Sequence, residues 1–274
     1  LEAGAAIGQA DEEGVTPLLI ACQEGHVECS RLLLEAGAAI DQADAEGVTP
    51  LSAASQEGKI DCVRLMIAAG AAVNQADSEG FTPLYIACQE SHLECARLLL
   101  EASAAVDQAM NDGATPLCMA CWKGHLDIAR LLLEAGTAIG QADEEGVTPL
   151  LIACQEGHVE CSRLLLEAGA AIDQADAEGV TALSAASQEG KIDCVRLMIA
   201  AGAAVNQADS SGLTPLYARR RGEPNRFRRP HAAARCVRGG PRRVRPAAPR
   251  GWRGGQPSQG GRACQEGQLE CAEL

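Results

Sequence analysis

Cys118 and Cys121 are separated by two intervening residues, the spacing at which paired thiolates bind zinc or exchange a disulfide. Cys121, however, belongs to a series. Cys22, Cys88, Cys121 and Cys154 follow at multiples of 33 residues, and Cys29, Cys62, Cys95, Cys161 and Cys194 form a second series with the same period. A thiol recurring on the apolar face of a repeated helix reads as a small hydrophobe. Matching positions in neighbouring units lie ~8–10 Å apart, too far for an unstrained bridge. A bridge inside one unit, such as Cys22–Cys29, stays open. His26, His92, His125 and His158 recur in a third slot. Zinc needs nitrogens at ~2.0–2.1 Å around one point, so histidines one unit apart read instead as polar residues starting a helix. No Gly-rich phosphate loop, Ser/His/Asp set or carboxylate pair stands out. Neither catalysis nor a cofactor or metal is expected.

The elements that carry these residues follow from the period. Thr-Pro recurs at Thr16, Thr49, Thr82, Thr115, Thr148 and Thr214, with Thr181-Ala182 filling the gap. Thr16 is a fit N-cap, and Pro17 suits the first helical position, where a missing N–H loses nothing. Leu18, Ala21 and Cys22 fall on one face of a short helix. Gly25 supplies its left-handed end. A second helix follows, with Val27, Cys29, Leu32 and Leu33 read as inward-facing and Gly37 closing it. Neither helix is long enough to stand alone. Each pair must bury its face on the next, which makes a solenoid. Asp11–Val15 between pairs reads as a turn bending at Gly14.

The unit from Asp11 to Ala43, D-E-E-G-V-T-P-L-L-I-A-C-Q-E-G-H-V-E-C-S-R-L-L-L-E-A-G-A-A-I-D-Q-A, resembles the ankyrin repeat. The resemblance implies an all-α ankyrin-repeat solenoid over residues 1–217, with six full helix pairs, partial ends and projecting turns. It also implies a non-catalytic protein–protein interaction scaffold. Partners of the family meet the turn tips and the exposed side of the first helix. Here these positions include Glu12, Glu13, Gln23 and Glu24, then Glu79 and Glu90, then Asp112, Trp122 and Lys123, then Glu144, Glu145, Gln155 and Glu156. Val15, Val48, Phe81, Ala114 and Val147 are counted among the same exposed turns. The face is mostly acidic. Only its middle differs, where Phe81, Trp122 and Lys123 form a candidate anchor rimmed by Glu79, Glu90 and Asp112. Tyr85 stands where the family has His, and packing between repeats is expected of it. The expected partner is another protein with a basic or mixed basic/apolar surface. Two further readings stay open: the repeat portion of a larger enzyme or membrane protein, and a nucleic-acid binder acting through a basic tail.

Charge divides the 274 residues sharply. Residues 1–217 carry nine Lys/Arg against 33 Asp/Glu, whereas residues 218–262 carry 14 Arg against Glu223 alone. The basic stretch is rich in Arg, Gly and Pro, and its composition predicts disorder. Read one nucleotide later, His231–Ser258 can encode a full repeat in register, and the original frame returns at Ala263. Residues 218–262 are therefore read as repeat DNA out of frame and residues 263–274 as the remnant of a further repeat, so nucleic acid is not an expected partner. Apolar residues make up 47% but aromatics only 2%, which suits thin stacked units better than one large core. Leu runs interrupted by Glu or Gly leave no membrane-spanning stretch. With 13 cysteines and no leader-like start, an intracellular setting, cytoplasmic or nuclear, is expected. A chain opening on Leu1 reads as a fragment.

A longer period lies above the first. Residues 1–78 and 133–210 differ only at Ala5/Thr137 and Pro50/Ala182, so a block of four repeats has been duplicated. Within it the third repeat is the expected weak point. Ser91 and Ser103 stand there in place of the two helix-ending glycines.

Overall fold

The computed structural model describes residues 7–215; the basic segment 218–262 and the remnant 263–274 lie outside the described residues. Among the described residues there are twelve helices and no strands. The first helices of the six pairs are α1 (Pro17–Glu24), α3 (Pro50–Gln56), α5 (Pro83–Gln89), α7 (Pro116–Lys123), α9 (Pro149–Glu156) and α11 (Ala182–Gln188). The second helices are α2 (Val27–Glu35), α4 (Ile60–Ala68), α6 (Leu93–Glu101), α8 (Leu126–Glu134), α10 (Val159–Glu167) and α12 (Ile192–Ala200). First helices pack on first helices and second on second from one repeat to the next. One apolar seam, from Leu18 to Ala203, runs through the stack.

The starts of the first helices are set locally. Thr16 holds an extended backbone and its Oγ1 accepts from Leu19 N at 3.2 Å, with Pro17 as the first helical residue. Where Ala182 replaces proline, a reciprocal Thr181/Ser184 capping box closes the same end. Gly25, in the left-handed region at φ 80°, ends α1.

The third repeat carries the expected exceptions. Ser91 (φ 62°) and Ser103 (φ 65°) are the non-glycine residues with positive φ among the described residues. A left-handed non-glycine residue costs about 1–2 kcal/mol, of which glycine's greater unfolded freedom would return part. Ser91→Gly and Ser103→Gly should therefore each raise stability by about 1 kcal/mol. Urea midpoints, together with slower amide exchange over residues 82–103, would check this. Unchanged midpoints would remove the strain argument.

Side-chain clamps tie the end of one repeat to the end of the next. Asp41 Oδ1 accepts from Ala72 N at 2.9 Å, Asn74 Oδ1 from Ala105 N at 2.8 Å, and Asp173 Oδ1 from Ala204 N at 2.9 Å. Asp107 Oδ1 takes both Ala138 N (3.1 Å) and the Thr137 hydroxyl (2.5 Å). In the fourth-to-fifth junction the slot holds Gly140, whose added Cβ would meet only Gln174 Oε1 at 3.4 Å. Gly140→Asp should supply the missing acceptor to Ala171 N and stabilise by about 1 kcal/mol, the worth of one net hydrogen bond. A thermal or urea midpoint no higher than the parent's would show that the junction does not use this clamp.

Candidate partner-binding face

The turns between repeats are built by one aspartate each. Asp11 Oδ1 accepts from Glu13 N (3.0 Å) and Val15 N (2.9 Å), while Asp11 N donates to Val15 O (3.1 Å). Asp44, Asp77, Asp143, Asp176 and Asp209 repeat the two side-chain bonds. In the fourth repeat Met110 takes that slot, and Asp112 instead holds Ala114 N at 3.0 Å. Asp112 is thus half-buried turn structure as much as rim. One backbone bond links each turn to the next: Ala45 N to Glu13 O (2.9 Å), Ser78 N to Glu46 O (3.0 Å), Asn111 N to Glu79 O (3.2 Å), and onward to Ser210 N–Glu178 O (2.8 Å). This ladder carries Glu12, Glu13, Glu79, Glu144 and Glu145 to the surface, all exposed.

The residue before each Thr does not lie on the surface as expected. Val15 (4% exposed), Val48 (4%), Phe81 (1%), Ala114 (1%) and Val147 (3%) are core residues. With its N–H tied to a turn aspartate and its C=O to the N–H of the residue that opens the turn, Met110 in the fourth repeat and aspartate in the others, this residue turns its side chain under the ladder. Phe81 packs edge-on against Tyr85, with ring centroids 5.3 Å apart, in a cluster with Ile86, Met110 and Met119. Phe81 is therefore no surface anchor. Tyr85 is buried, as its packing role requires. A signal was there: the slot is apolar in every repeat, from Val15 to Leu213.

Other placements divide. Glu24 and Glu90 are exposed, and Glu90 accepts from Gln89 Nε2 at 2.9 Å. Gln23 is buried, whereas its counterpart Gln155 is half-buried and donates to the half-buried Glu156 at 3.5 Å. Cys29 and Leu32, read as inward-facing, are exposed in the first repeat. In the fifth, Cys161 is buried and Leu164 half-buried, because the fourth repeat packs beside them.

Trp122, at the end of α7, is half-buried and touches both the main seam and the Phe81 cluster. Lys123 lies over its ring, Nζ to centroid 4.5 Å, a cation–π contact. A partner reaching the Trp122 ring from that side must displace Lys123. Behind it, His158 Nε2 meets Trp122 O at 3.0 Å, as His92 meets Gln56 O (2.9 Å) and His125 meets Gln89 O (3.2 Å). The recurring histidine is thus a strut between repeats. Burial lowers the pKa of His125, against the opposing pull of the Gln89 carbonyl, so the neutral ring is its ordinary state.

Between the fifth and sixth turns lies a groove of about 270 Å³, floored by Val180 and Ala185 and rimmed by Glu144, Glu145, Asp176, Glu178 and Glu189. Its negative rim and apolar floor suit an aliphatic stem bearing a positive head.

The ten cysteines among the described residues are free thiols. No bridge joins Cys22 to Cys29; Cys22 is buried against Cys62 and Ser30. Cys118 and Cys121 are both buried, and desolvation pushes Cys118 up to about 11 and Cys121 well above its ordinary value, the opposite of a reactive pair. Among the described residues no three His, Cys, Asp or Glu side chains gather as a metal site, and no helix is long and apolar enough to cross a membrane.

Stacked helix pairs joined by a ladder of turns, with side chains presented from turns and first helices, define a repeat solenoid of the protein-binding class. The family model for ankyrin repeats, in three copies, matches residues 1–77, 65–143 and 135–209. The chain belongs to the ankyrin-repeat family, whose repeats are protein–protein interaction modules. Among solved structures, the crystal structure of the human ASB11 ankyrin repeat domain is similar at 26% identity and TM-score 0.70, covering 83% of this chain and 100% of that one. No curated protein matches in sequence.

Proposed function

We propose that the array is a non-catalytic scaffold that binds a protein segment carrying Lys or Arg beside an apolar residue, along the acidic turn-and-first-helix face. The observation that supports this best is the groove between the fifth and sixth turns, with five carboxylates around an apolar floor. Its residues recur identically as Glu12, Glu13, Asp44, Glu46 and Glu57 around Val48 and Ala53, so the first and second turns offer the same chemistry. The Trp122–Lys123 corner is the one place where this face carries an indole, and it supplies the specificity element.

The test uses labelled twelve-residue peptides with a central Leu flanked by Arg or, as control, by Glu. Arg-flanked peptides should bind, more weakly as salt rises, and Glu145→Lys with Glu178→Lys, combined with Glu13→Lys and Glu46→Lys in the duplicate groove, should weaken them at least tenfold. Trp122→Ala, confirmed folded by circular dichroism, should lose about 2 kcal/mol of binding, whereas Gln89→Ala, at the equivalent slot outside the groove, should lose little. Equal small losses would spread binding along the acidic face. Preference for Glu-flanked peptides would refute the reading.

A further inference from the structure

The groove between the fifth and sixth turns lies where the array places a small residue. Ala185, 3% exposed, forms its floor beside Val180. The same slot holds Ile20, Ile86, Met119 and Ile152 in four of the repeats, and alanine only in the second and sixth, as Ala53 and Ala185. A longer side chain at this slot fills the space that alanine leaves between the turns.

Every residue lining the groove has an identical counterpart four repeats earlier, in the first and second repeats. Their surroundings match too. Glu12, Glu13 and Glu46 are exposed like Glu144, Glu145 and Glu178, while Val48 and Ala53 are buried like Val180 and Ala185. The same backbone rung holds each pair of turns, Ala45 N–Glu13 O at 2.9 Å and Ala177 N–Glu145 O at 3.0 Å. Differences are confined to the edges: Gln23 is buried and Gln155 half-buried, Glu57 half-buried and Glu189 exposed.

We infer, building on the peptide recognition proposed above, that the array is bivalent: its two alanine-floored junctions take two copies of one motif, an apolar residue flanked by Arg or Lys, carried by a single partner chain. Successive first helices stand ~8–10 Å apart, so four steps separate the two grooves by roughly 32–40 Å. An extended chain covers that span in roughly 9–12 residues, at ~3.3–3.6 Å each. Once the first motif is seated, the second is held near its groove at a high local concentration, and affinity rises without any new kind of contact. The Trp122–Lys123 corner belongs to the fourth repeat, between the two grooves, where the linking stretch passes.

The test uses the full chain, the Arg-flanked Leu peptide, and two tandem peptides that carry the motif twice, with their Leu residues thirty or six positions apart. Isothermal titration should count two single peptides per chain. Ala53→Ile and Ala185→Ile should each bring the count to one with every carboxylate retained; isoleucine already stands at this slot in Ile20, Ile86 and Ile152. The long tandem peptide should form a complex containing one chain, by sedimentation, and bind at least about tenfold tighter than the single peptide. The short one carries the same motifs but cannot span the grooves, so it should gain no more than about the twofold that two motifs give by statistics alone. A count of one on the parent chain, or equal gains from the two tandem peptides, overturns bivalence and leaves the recognition itself standing. No binding of the single peptide removes both. Two peptides still bound to folded Ala185→Ile would assign binding to surface charge and overturn the pair of grooves. Because the count on the parent chain and the two tandem peptides decide this, a misfolded variant cannot mask the answer.

Discussion

Phe81→Ala should destabilise the array by about 3–5 kcal/mol, the usual cost of emptying a buried phenylalanine site. Phe81 is 1% exposed and meets Tyr85 at an interplanar angle of 70° with centroids 5.3 Å apart, an edge-on pair that adds stability beyond the area it buries. The cavity would open among Ile86, Met110 and Met119, beneath the junction of the third and fourth turns. Whole domains are stable by only about 5–15 kcal/mol, and a solenoid's stability is a sum of repeat and interface terms. The loss should therefore split unfolding in two, with the third and fourth repeats melting first. Urea unfolding followed by circular dichroism, with amide exchange to place the early phase, would read it. Were Phe81 a surface anchor, the same change would move stability by under about 0.5 kcal/mol and partner affinity by much more.

Gly80→Ala should be strongly damaging and Gly70→Ala mild, although both residues sit in the left-handed region, at φ 91° and 89°. Each substitution incurs about 1–2 kcal/mol of backbone strain. At Gly70 an added Cβ meets nothing within 4 Å. At Gly80 it would stand 2.8 Å from Asn111 N and 2.9 Å from Met110 Cα. This is backbone of the next turn, held there by the Asn111 N–Glu79 O bond. The turn must shift and the rung between turns must break, which should add about 2 kcal/mol or more to the shared strain. Matched urea midpoints decide the matter, and equal midpoints for the two variants would mean that the ladder yields freely.

The fold's units were legible because their signals are local. Thr16 caps a residue three places on, Pro17 follows it, and Gly25 ends the same helix; such contacts span only a few residues and repeat with the period. The serine strain at Ser91 and Ser103 was legible for the same reason. The acidic turns were also legible, since a turn tip projects wherever the stack goes. Phe81 was misplaced because the turn was read by its tip, whereas two bonds to Asp77 carry the backbone at Phe81 inward.

Relations between repeats needed the stack itself. A period of 33 says which residues are equivalent, but it does not say which are neighbours. Neighbours occur at other separations: 31 residues for the Asp41–Ala72 clamp, 36 for the His158–Trp122 strut, and 40 for Cys22 and Cys62. Those separations depend on how far each helix pair is displaced and rotated on the last. That displacement results from side-chain packing summed along the whole interface, not from any short stretch of chain. It is why repetition in the sequence announced a solenoid, while only the packed molecule could show Lys123 lying over Trp122, a groove between two turns, and histidines bracing one repeat on the one before.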